Sequence, residues 1–165
     1  MNATSLIKLL NGEYFSKSHL TLTNVIQEKY NKNYFGASFN LNEHSIRFRK
    51  SKCTPNKTGQ FVAVWEKDTE GNNQALNYYS SPDFLMIYSE TEQQKGLFLF
   101  PKDVVLKNKI FATVFQHGKL GFRVYPLWDK VSSKQAIKTK AWQSKYFVDL
   151  EDTNAADILN KLLNT

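Results

Sequence analysis

Three short, almost uninterrupted apolar segments constrain the fold of this chain most strongly. They cover residues 60–65, 84–88 and 97–100. A strand with one face in water alternates apolar and polar residues, whereas a continuous apolar run is typical of a strand covered on both faces. The sequence therefore predicts a central, well-buried sheet of mixed strand direction.

Alternating apolar and polar residues add further strands to this sheet. Residues 39–48 alternate on either side of a polar turn, which predicts a β-hairpin. A second hairpin is predicted over residues 114–125, around a His-Gly-Lys turn. These hairpins and the apolar runs together place the sheet in residues 36–130.

Helical segments are predicted before and after the sheet. Apolar residues at helical spacing predict short helices over residues 4–10 and 21–31. Farther along, Ser132 or Ser133 can cap a long helix over residues 134–147, and a terminal helix follows. We therefore expect a single domain over residues 1–165 of class α/β (α+β), with N-terminal helices at 1–35, a central mixed β-sheet at 36–130 and C-terminal helices at 131–165.

The predicted long helix has one basic flank. Three cations and an indole ring share a side of it, because they follow one another at spacings of four, four and three residues. They are Lys134, Lys138, Trp142 and Lys145. Ile137 and its neighbours at helical spacing are expected to face the core on the adjacent side.

Cysteine usage and hydropathy exclude several classes of protein. Cys53 is the only cysteine, so a disulfide framework is impossible. No apolar run approaches the roughly 20 residues of a membrane helix, and residues 1–10 lack the features of a secretory signal. We therefore expect a soluble, cytoplasmic protein that has no membrane partner.

Positive charge is concentrated in two blocks of the chain. The formal net charge is +7, and residues 47–67 carry +5 while residues 95–145 carry +9. All three tryptophans, at positions 65, 128 and 142, lie in these blocks. Cations beside aromatic rings are typical of proteins that bind single-stranded nucleic acid. The alternative is that the lysines only keep the domain soluble.

The sequence lacks the common motifs of metal and cofactor chemistry. His19, His44 and His117 lie far apart and, with a single cysteine, supply no zinc-ligand spacing. The phosphate-binding loop, the dinucleotide-binding glycine pattern and the serine nucleophile elbow are all missing. We therefore expect no metal site and no small-molecule cofactor.

Four segments of the chain resemble one known family. They are residues 59–65 (GQFVAVW), 97–102 (LFLFPK), 121–129 (GFRVYPLWD) and 133–147, which begins with SKQA and contains KAWQ. Together they resemble the MepB family over about residues 36–147. The resemblance implies a bacterial cytoplasmic protein, associated with a multidrug-efflux operon. It also implies a restriction-endonuclease-like core that binds nucleic acid, single strands and RNA in particular.

The resemblance further implies where a nuclease site of the PD-(D/E)XK type would lie. Asp83 falls near the first acidic residue of that pattern, and Lys102 falls at its lysine. Phe100 occupies the position of the second acidic residue, so a Mg²⁺ site would lack one of its carboxylates. The chain also has Leu127 where the family commonly has proline, and Lys50 where an apolar residue is expected. This degenerate pattern favours a protein without catalysis.

We therefore expect a protein that binds single-stranded DNA or RNA, with little sequence preference, in a nuclease-like basic cleft. The cations expected to contact phosphates are Arg47, Arg49, Lys50, Lys52, Lys57, Lys102, Arg123, Lys134 and Lys138. The aromatic rings expected to stack on bases are Tyr125, Trp128 and Trp142.

Two alternatives stay open at this stage. The first is a Mg²⁺-dependent nuclease that uses Asp83 and Lys102, with further carboxylates from Glu43, Glu66 or Asp103. The second is a protein-interaction or small-molecule-sensing module of a drug-response operon. Such a module would bind nucleic acid only weakly at about 0.15 M salt, which distinguishes it from the expected function.

Overall fold

The computed structural model describes all 165 residues of the chain, and it contains eleven strands and four α-helices besides short π- and 3-10-helical segments and loops. The strands are β1 (Leu22–Gln27), β2 (Ala37–Leu41), β3 (His44–Lys50), β4 (Lys52–Cys53), β5 (Gln60–Ala63), β6 (Glu66–Lys67), β7 (Asn73–Gln74), β8 (Phe84–Glu90), β9 (Lys95–Pro101), β10 (Gly121–Val124) and β11 (Phe147–Asp149). The helices are α1 (Ala3–Leu10), α2 (Lys102–Lys107), α3 (Lys134–Ser144) and α4 (Ala155–Leu163). None of these helices has the length and apolar character needed to cross a membrane.

A six-stranded sheet in the order β1-β2-β3-β8-β9-β11 forms the centre of the fold. β3 and β8 run parallel, and all other neighbours in this sheet are antiparallel. The apolar runs at 84–88 and 97–100 form β8 and β9, which bury almost every residue. The predicted α/β (α+β) class, with a central mixed sheet and flanking helices, is therefore confirmed.

The two faces of the central sheet are covered by different layers. Met86 and Leu99 point into a core that they share with residues of α1 and α4. Leu85, Ile87 and Phe98 point to the opposite face, into a core shared with a second sheet of order β10-β5-β4. Successive residues of β8 thus enter two separate cores, which explains why its sequence is apolar without alternation.

The apolar run at residues 60–65 is a central strand, but of the second sheet rather than the first. It contains β5, which pairs antiparallel with β4 on one side and β10 on the other. Val62 and Val64 are fully buried against the central sheet. An apolar run shows that a strand is covered, and it leaves open which sheet the strand joins.

The helix predicted over residues 21–31 is wrong, because this segment contains the edge strand β1. Its β-branched residues favour a strand. The apparent helical spacing comes from a β-bulge: the register shifts between Thr23 and Ile26, and Asn24 adopts φ +56°. One extra residue in a strand breaks the period of two and leaves a spacing that imitates a helix. Residues 1–35 therefore contain a strand as well as helical segments.

The hairpin predicted over residues 114–125 is also wrong. β10 pairs with β5, and that pairing buries Phe122. Val114 and Phe115 instead lie exposed in a turn that backbone hydrogen bonds close between Thr113 and Gln116. Two adjacent apolar residues give too short a pattern to define a strand.

The long helix begins where the sequence predicts and ends three residues early. The Ser133 Oγ accepts a hydrogen bond from the Ala136 N–H at 3.1 Å, as expected of a helix N-cap. The prediction for its inward face is wrong, because Ile137 is 51% exposed and Gln143 is the fully buried residue of this helix. α3 therefore attaches to the fold through a buried polar side chain as well as through Trp142, which packs on the second core.

Candidate nucleic-acid interface

A groove of about 630 Å³ lies between α3 and the second sheet. We call it the basic groove, because four cationic side chains line it: Lys57, Lys119, Arg123 and Lys138. No carboxylate lines it, and none of the four cations forms an ion pair. The groove therefore concentrates positive charge without a carboxylate among its lining residues.

Gln143 fixes α3 against the end of β10 and so sets the shape of the groove. Its Oε1 accepts a hydrogen bond from the Tyr125 N–H at 2.8 Å, and its Nε2 donates one to the Arg123 carbonyl at 2.9 Å. The amide thus takes the place of a neighbouring strand for Arg123 in β10 and for Tyr125 just after it. Gln143 is fully buried, and a residue without this amide would leave two partly buried main-chain groups unpaired.

Gly59 allows the Tyr125 ring to pack against the loop before β5. Its φ is +82°, and a Cβ at this position would lie 2.7 Å from Tyr125 Cε1. Glycine adopts that backbone conformation without strain, and any side chain would displace the ring. Tyr125 is thereby held in the wall of the basic groove.

Arg123 is held in place by neutral oxygens. Its Nη1 donates to the Thr58 carbonyl at 3.1 Å, and its Nη2 donates to the Thr54 Oγ1 at 2.6 Å. These contacts restrict the rotamer without cancelling the charge. Since a guanidinium has five N–H donors, the remaining donors are free for an anion in the groove.

A second cavity, of about 340 Å³, extends the groove toward the N-terminus of α3. Lys57, Arg123 and Tyr125 line both cavities. Ser133, the N-cap of α3, lines both as well. The positive end of the helix dipole therefore adds to the field of the cations at this end of the groove.

Two of the three predicted stacking rings line the basic groove. Tyr125 and Trp142 do so, and one side of the Trp142 ring packs on Phe100 with 5.2 Å between ring centroids. Trp128 instead packs edge-on against Phe147 at 5.6 Å, and its Nε1 is buried. The structure therefore brings Tyr125 and Trp142 together and places Trp128 in the packing of the fold.

The arginines of β3 lie outside the groove, and each has an acidic partner. Arg47 Nη2 lies 2.7 Å from Glu28 Oε1, and Arg47 Nη1 lies 3.3 Å from Glu66 Oε1. The fully buried Arg49 has its Nη1 2.6 Å from Glu28 Oε2. Burial lowers the pKa of Arg49 to about 10, with the charge of Glu28 opposing the shift. Arg49 is therefore still charged at neutral pH, inside an ion-pair cluster.

Lys50 and Lys52 also lie away from the groove lining. Lys50 Nζ lies 2.6 Å from Glu90 Oε1. Partial burial acts to raise the pKa of Glu90, but hydrogen bonds from Lys50 and Tyr88 outweigh it and lower that pKa. Lys52 Nζ lies 5.0 Å from the centroid of the Tyr34 ring. Of the predicted contacts in residues 47–57, only Lys57 reaches the basic groove.

Asp83 and Lys102 are neighbours in the structure, and neither lines the groove. The Lys102 N–H donates to the Asp83 carbonyl at 3.0 Å, and the Asp83 carboxylate accepts from the Ser45 N–H at 3.2 Å. Lys102 Nζ lies 4.7 Å from the centroid of the Tyr78 ring.

The residues at this position do not fit a Mg²⁺ site. The side chain at the second acidic position, Phe100, is fully buried. No group of three or more His, Cys, Asp or Glu side chains with metal-binding placement occurs in the chain. Mg²⁺ prefers several oxygen ligands, and this donor set supplies too few of them.

The lysines predicted to contact phosphates and the lysines that line the groove differ at Lys134 and Lys119. Lys134 lies exposed at the start of α3 outside the groove lining, whereas Lys138, one turn later, lines the groove. Lys119 lines the groove and is absent from the predicted set. The sequence does contain a signal for Lys119, because this lysine lies within residues 104–128, which contain no acidic side chain.

The chain is similar to known proteins in sequence and in fold. A family model described as MepB-like matches residues 28–149. The crystal structure of MepB is 33% identical to this chain, with a TM-score of 0.79, and the match covers 93% of this chain and 99% of that one. A bacterial homing endonuclease is 11% identical, with a TM-score of 0.45, over 85% of this chain and 84% of its own. No curated protein matches the sequence.

Proposed function

This chain belongs to the MepB-like family, and we propose that it binds single-stranded nucleic acid in the basic groove without cleaving it. One observation carries the proposal. Four cations line the groove beside Tyr125 and Trp142, and no carboxylate accompanies them. A chain of phosphates with unpaired bases matches both features, because it offers negative charge and flat rings at once.

The cations have two different tasks in this proposal. Arg123 is fixed by its threonine contacts, so it offers a guanidinium in a set orientation to one phosphate. Lys57, Lys119 and Lys138 are exposed, and their flexible side chains supply a diffuse attractive field. If all four neutralise phosphates, the logarithm of affinity falls with the logarithm of salt concentration with a slope of about −2.8 on single strands.

The aromatic rings account for the preference for single strands. Bases of a duplex are stacked on one another and cannot cover Tyr125 or Trp142, whereas an unpaired base can. Stacking accepts every base, and phosphate contacts carry no sequence information. We therefore expect binding with little sequence preference to both single-stranded RNA and single-stranded DNA.

A fluorescence-anisotropy titration tests the proposal. Labelled single-stranded RNA, single-stranded DNA and duplex DNA are titrated across a salt series with Mg²⁺ present, and the recovered strands are run on a gel. We expect saturable binding that favours single strands and leaves them intact. Cleavage would contradict a non-catalytic role, and absence of binding at low salt would contradict the proposal as a whole.

A matched pair of lysines on α3 locates the binding surface. Lys138 lines the groove, and the exposed Lys145 at the C-terminal end of the same helix does not. Lys138→Ala should reduce the magnitude of the salt slope by about 0.7, the value of one phosphate contact on a single strand. Lys145→Ala should leave it unchanged, and equal effects of the two variants would place the strand elsewhere.

A further inference from the structure

Val114 and Phe115 form the most exposed pair of neighbouring apolar side chains in the fold. Val114 is 83% exposed and Phe115 is 97% exposed. Single apolar residues are common on protein surfaces, but a complete aromatic ring in solvent beside a second apolar side chain contributes nothing to the core. The pair is therefore a candidate contact surface for a ligand.

The turn that carries Phe115 is held firmly at its base. Thr113 and Gln116 exchange backbone hydrogen bonds at 3.0 and 3.4 Å, and the Phe115 N–H donates to Thr113 Oγ1 at 3.1 Å. The side chain of Gln116 donates to the carbonyls of Leu106 and Phe111 at 3.0 and 3.2 Å. A ring presented by such a turn loses little conformational entropy when it binds.

This turn belongs to a loop whose two ends line the basic groove. The loop begins at Ile110 and returns at Lys119, both of which line the groove. The Lys119 N–H donates to the Ile110 carbonyl at 2.9 Å and closes the loop. A Cβ on Gly118 would lie 2.4 Å from the same carbonyl, so the two legs of the loop pack tightly. Phe115 and Lys119 are four positions apart in the chain, which limits their Cα distance to about 14 Å.

The charge around the turn fits an anionic ligand. Residues 104–128 contain no acidic side chain. Lys107, Lys109 and Lys119 are exposed in this stretch. A second copy of this chain would bring like charges together over a contact of only two apolar side chains. A nucleic acid brings phosphates to the lysines and a flat ring to Phe115.

We propose that Phe115 stacks on an unpaired base of a strand whose phosphates lie in the basic groove. Val114 covers the edge of that base. This inference rests on the proposed function and extends the site beyond the groove, to a ring that makes no contribution to the core. It also assigns Phe115 a share of the discrimination between single strands and duplex, since a paired base is not available for stacking.

Substitutions at position 115 separate stacking from apolar contact. Phe115→Ala should weaken binding of a single-stranded oligonucleotide about 5- to 150-fold, the effect of losing one stacked base. Phe115→Tyr should retain the affinity, whereas Phe115→Leu should behave like the alanine variant. The salt slope should stay constant, because no cation is removed. The melting temperature should not fall, because the ring is 97% exposed.

Ile26→Ala is the matched control. Ile26 is 63% exposed on the edge strand β1 and does not line the basic groove. Its removal should leave the affinity for the oligonucleotide unchanged. An equal loss in both variants would show that exposed apolar residues act non-specifically, and would overturn the role of Phe115.

The failure of this inference can be distinguished from the failure of the proposed function. If the wild-type protein binds no oligonucleotide at low salt, the proposed function fails, and this inference fails with it. If the wild type binds and Phe115→Ala binds equally well, only the role of Phe115 is overturned. Vesicles of anionic phospholipid provide a further arm. Phe115-dependent binding to them, with oligonucleotide affinity unchanged, would assign the turn to a membrane surface instead.

Discussion

Two groups of cations in this chain look alike in the sequence and differ entirely in the structure. Arg47, Arg49 and Lys50 follow one another along β3, and each lies within 3.3 Å of a carboxylate oxygen. The four cations of the basic groove have no carboxylate partner. The charges of the first group are taken up by ion pairs within the fold, whereas those of the second group are available to attract a polyanion from solution.

The difference shows that a count of positive charges is a poor guide to a binding surface. The arginines of β3 meet Glu28, which lies just after β1 and about twenty residues earlier in the chain. The groove cations lie on β10, on α3 and in the loops that contain Lys57 and Lys119. No carboxylate of these elements lines the groove. Whether a cation is available depends on which carboxylates the fold brings to it.

The largest expected effect is a loss of stability when the carboxylate that pairs with Arg47 and Arg49 is removed. Glu28→Gln leaves the buried Arg49 without its carboxylate, and loss of one partner of a buried pair costs about 3–5 kcal/mol. Urea unfolding measures this loss. Oligonucleotide affinity of the folded variant should change less than twofold.

Glu92→Gln is the control for that experiment, because Glu92 is exposed and forms no ion pair. Its free energy of unfolding should change by less than about 0.5 kcal/mol. If Glu28→Gln lowered the free energy of unfolding as little as Glu92→Gln, the ion pairs of Glu28 with Arg47 and Arg49 would not stabilise the fold. The contrast between the two groups of cations would then disappear.

A smaller effect, dependent on pH, is expected at Glu90. Partial burial acts to raise its pKa, but hydrogen bonds from Lys50 and Tyr88 lower it on balance. A lowered folded-state pKa stabilises the fold above the unfolded-state value near 4.3, and this contribution is lost as the pH falls through the folded-state value. Glu90→Gln should therefore flatten the acid side of the stability profile below about pH 5.

The magnitude of the Glu90 effect should be modest. Glu90 and Lys50 are both partly exposed, so the loss at pH 7 should be below about 1 kcal/mol. Unfolding in urea at a series of pH values measures it. A variant that keeps the full acid dependence of the wild type would show that Glu90 contributes nothing to it.

The sequence predicts the central sheet well, for a clear physical reason. The runs that form β8 and β9 are continuous, and the β2–β3 hairpin alternates cleanly, so each pattern allows one interpretation. The bulge at Asn24 removes that regularity from β1 and leaves a helical spacing. Pairing with β2 shows that the segment is a strand.

The candidate site could be predicted in part, and the differences between the predicted residues and the groove have several causes. Lys57, Arg123, Tyr125, Lys138 and Trp142 meet in one groove, although they lie in separate elements. Arg47 and Arg49 lie outside this groove and pair with Glu28, and a helix predicted at residues 21–31 gives no indication that Glu28 lies beside β3. The sequence does not predict the buried position of Gln143, because a polar residue in a helix is expected to face solvent.

Paired and unpaired lysines give the most direct test of the central claim. The salt dependence of single-stranded RNA binding is measured for the wild type, for Lys57→Ala/Lys119→Ala and for Lys50→Ala. All three should unfold within about 0.5–1 kcal/mol of one another. The double variant should lose about 1.4 from the magnitude of the slope, and Lys50→Ala should keep the wild-type value. A double variant with the wild-type slope, or an equal loss in Lys50→Ala, would contradict the assignment of phosphate binding to the basic groove.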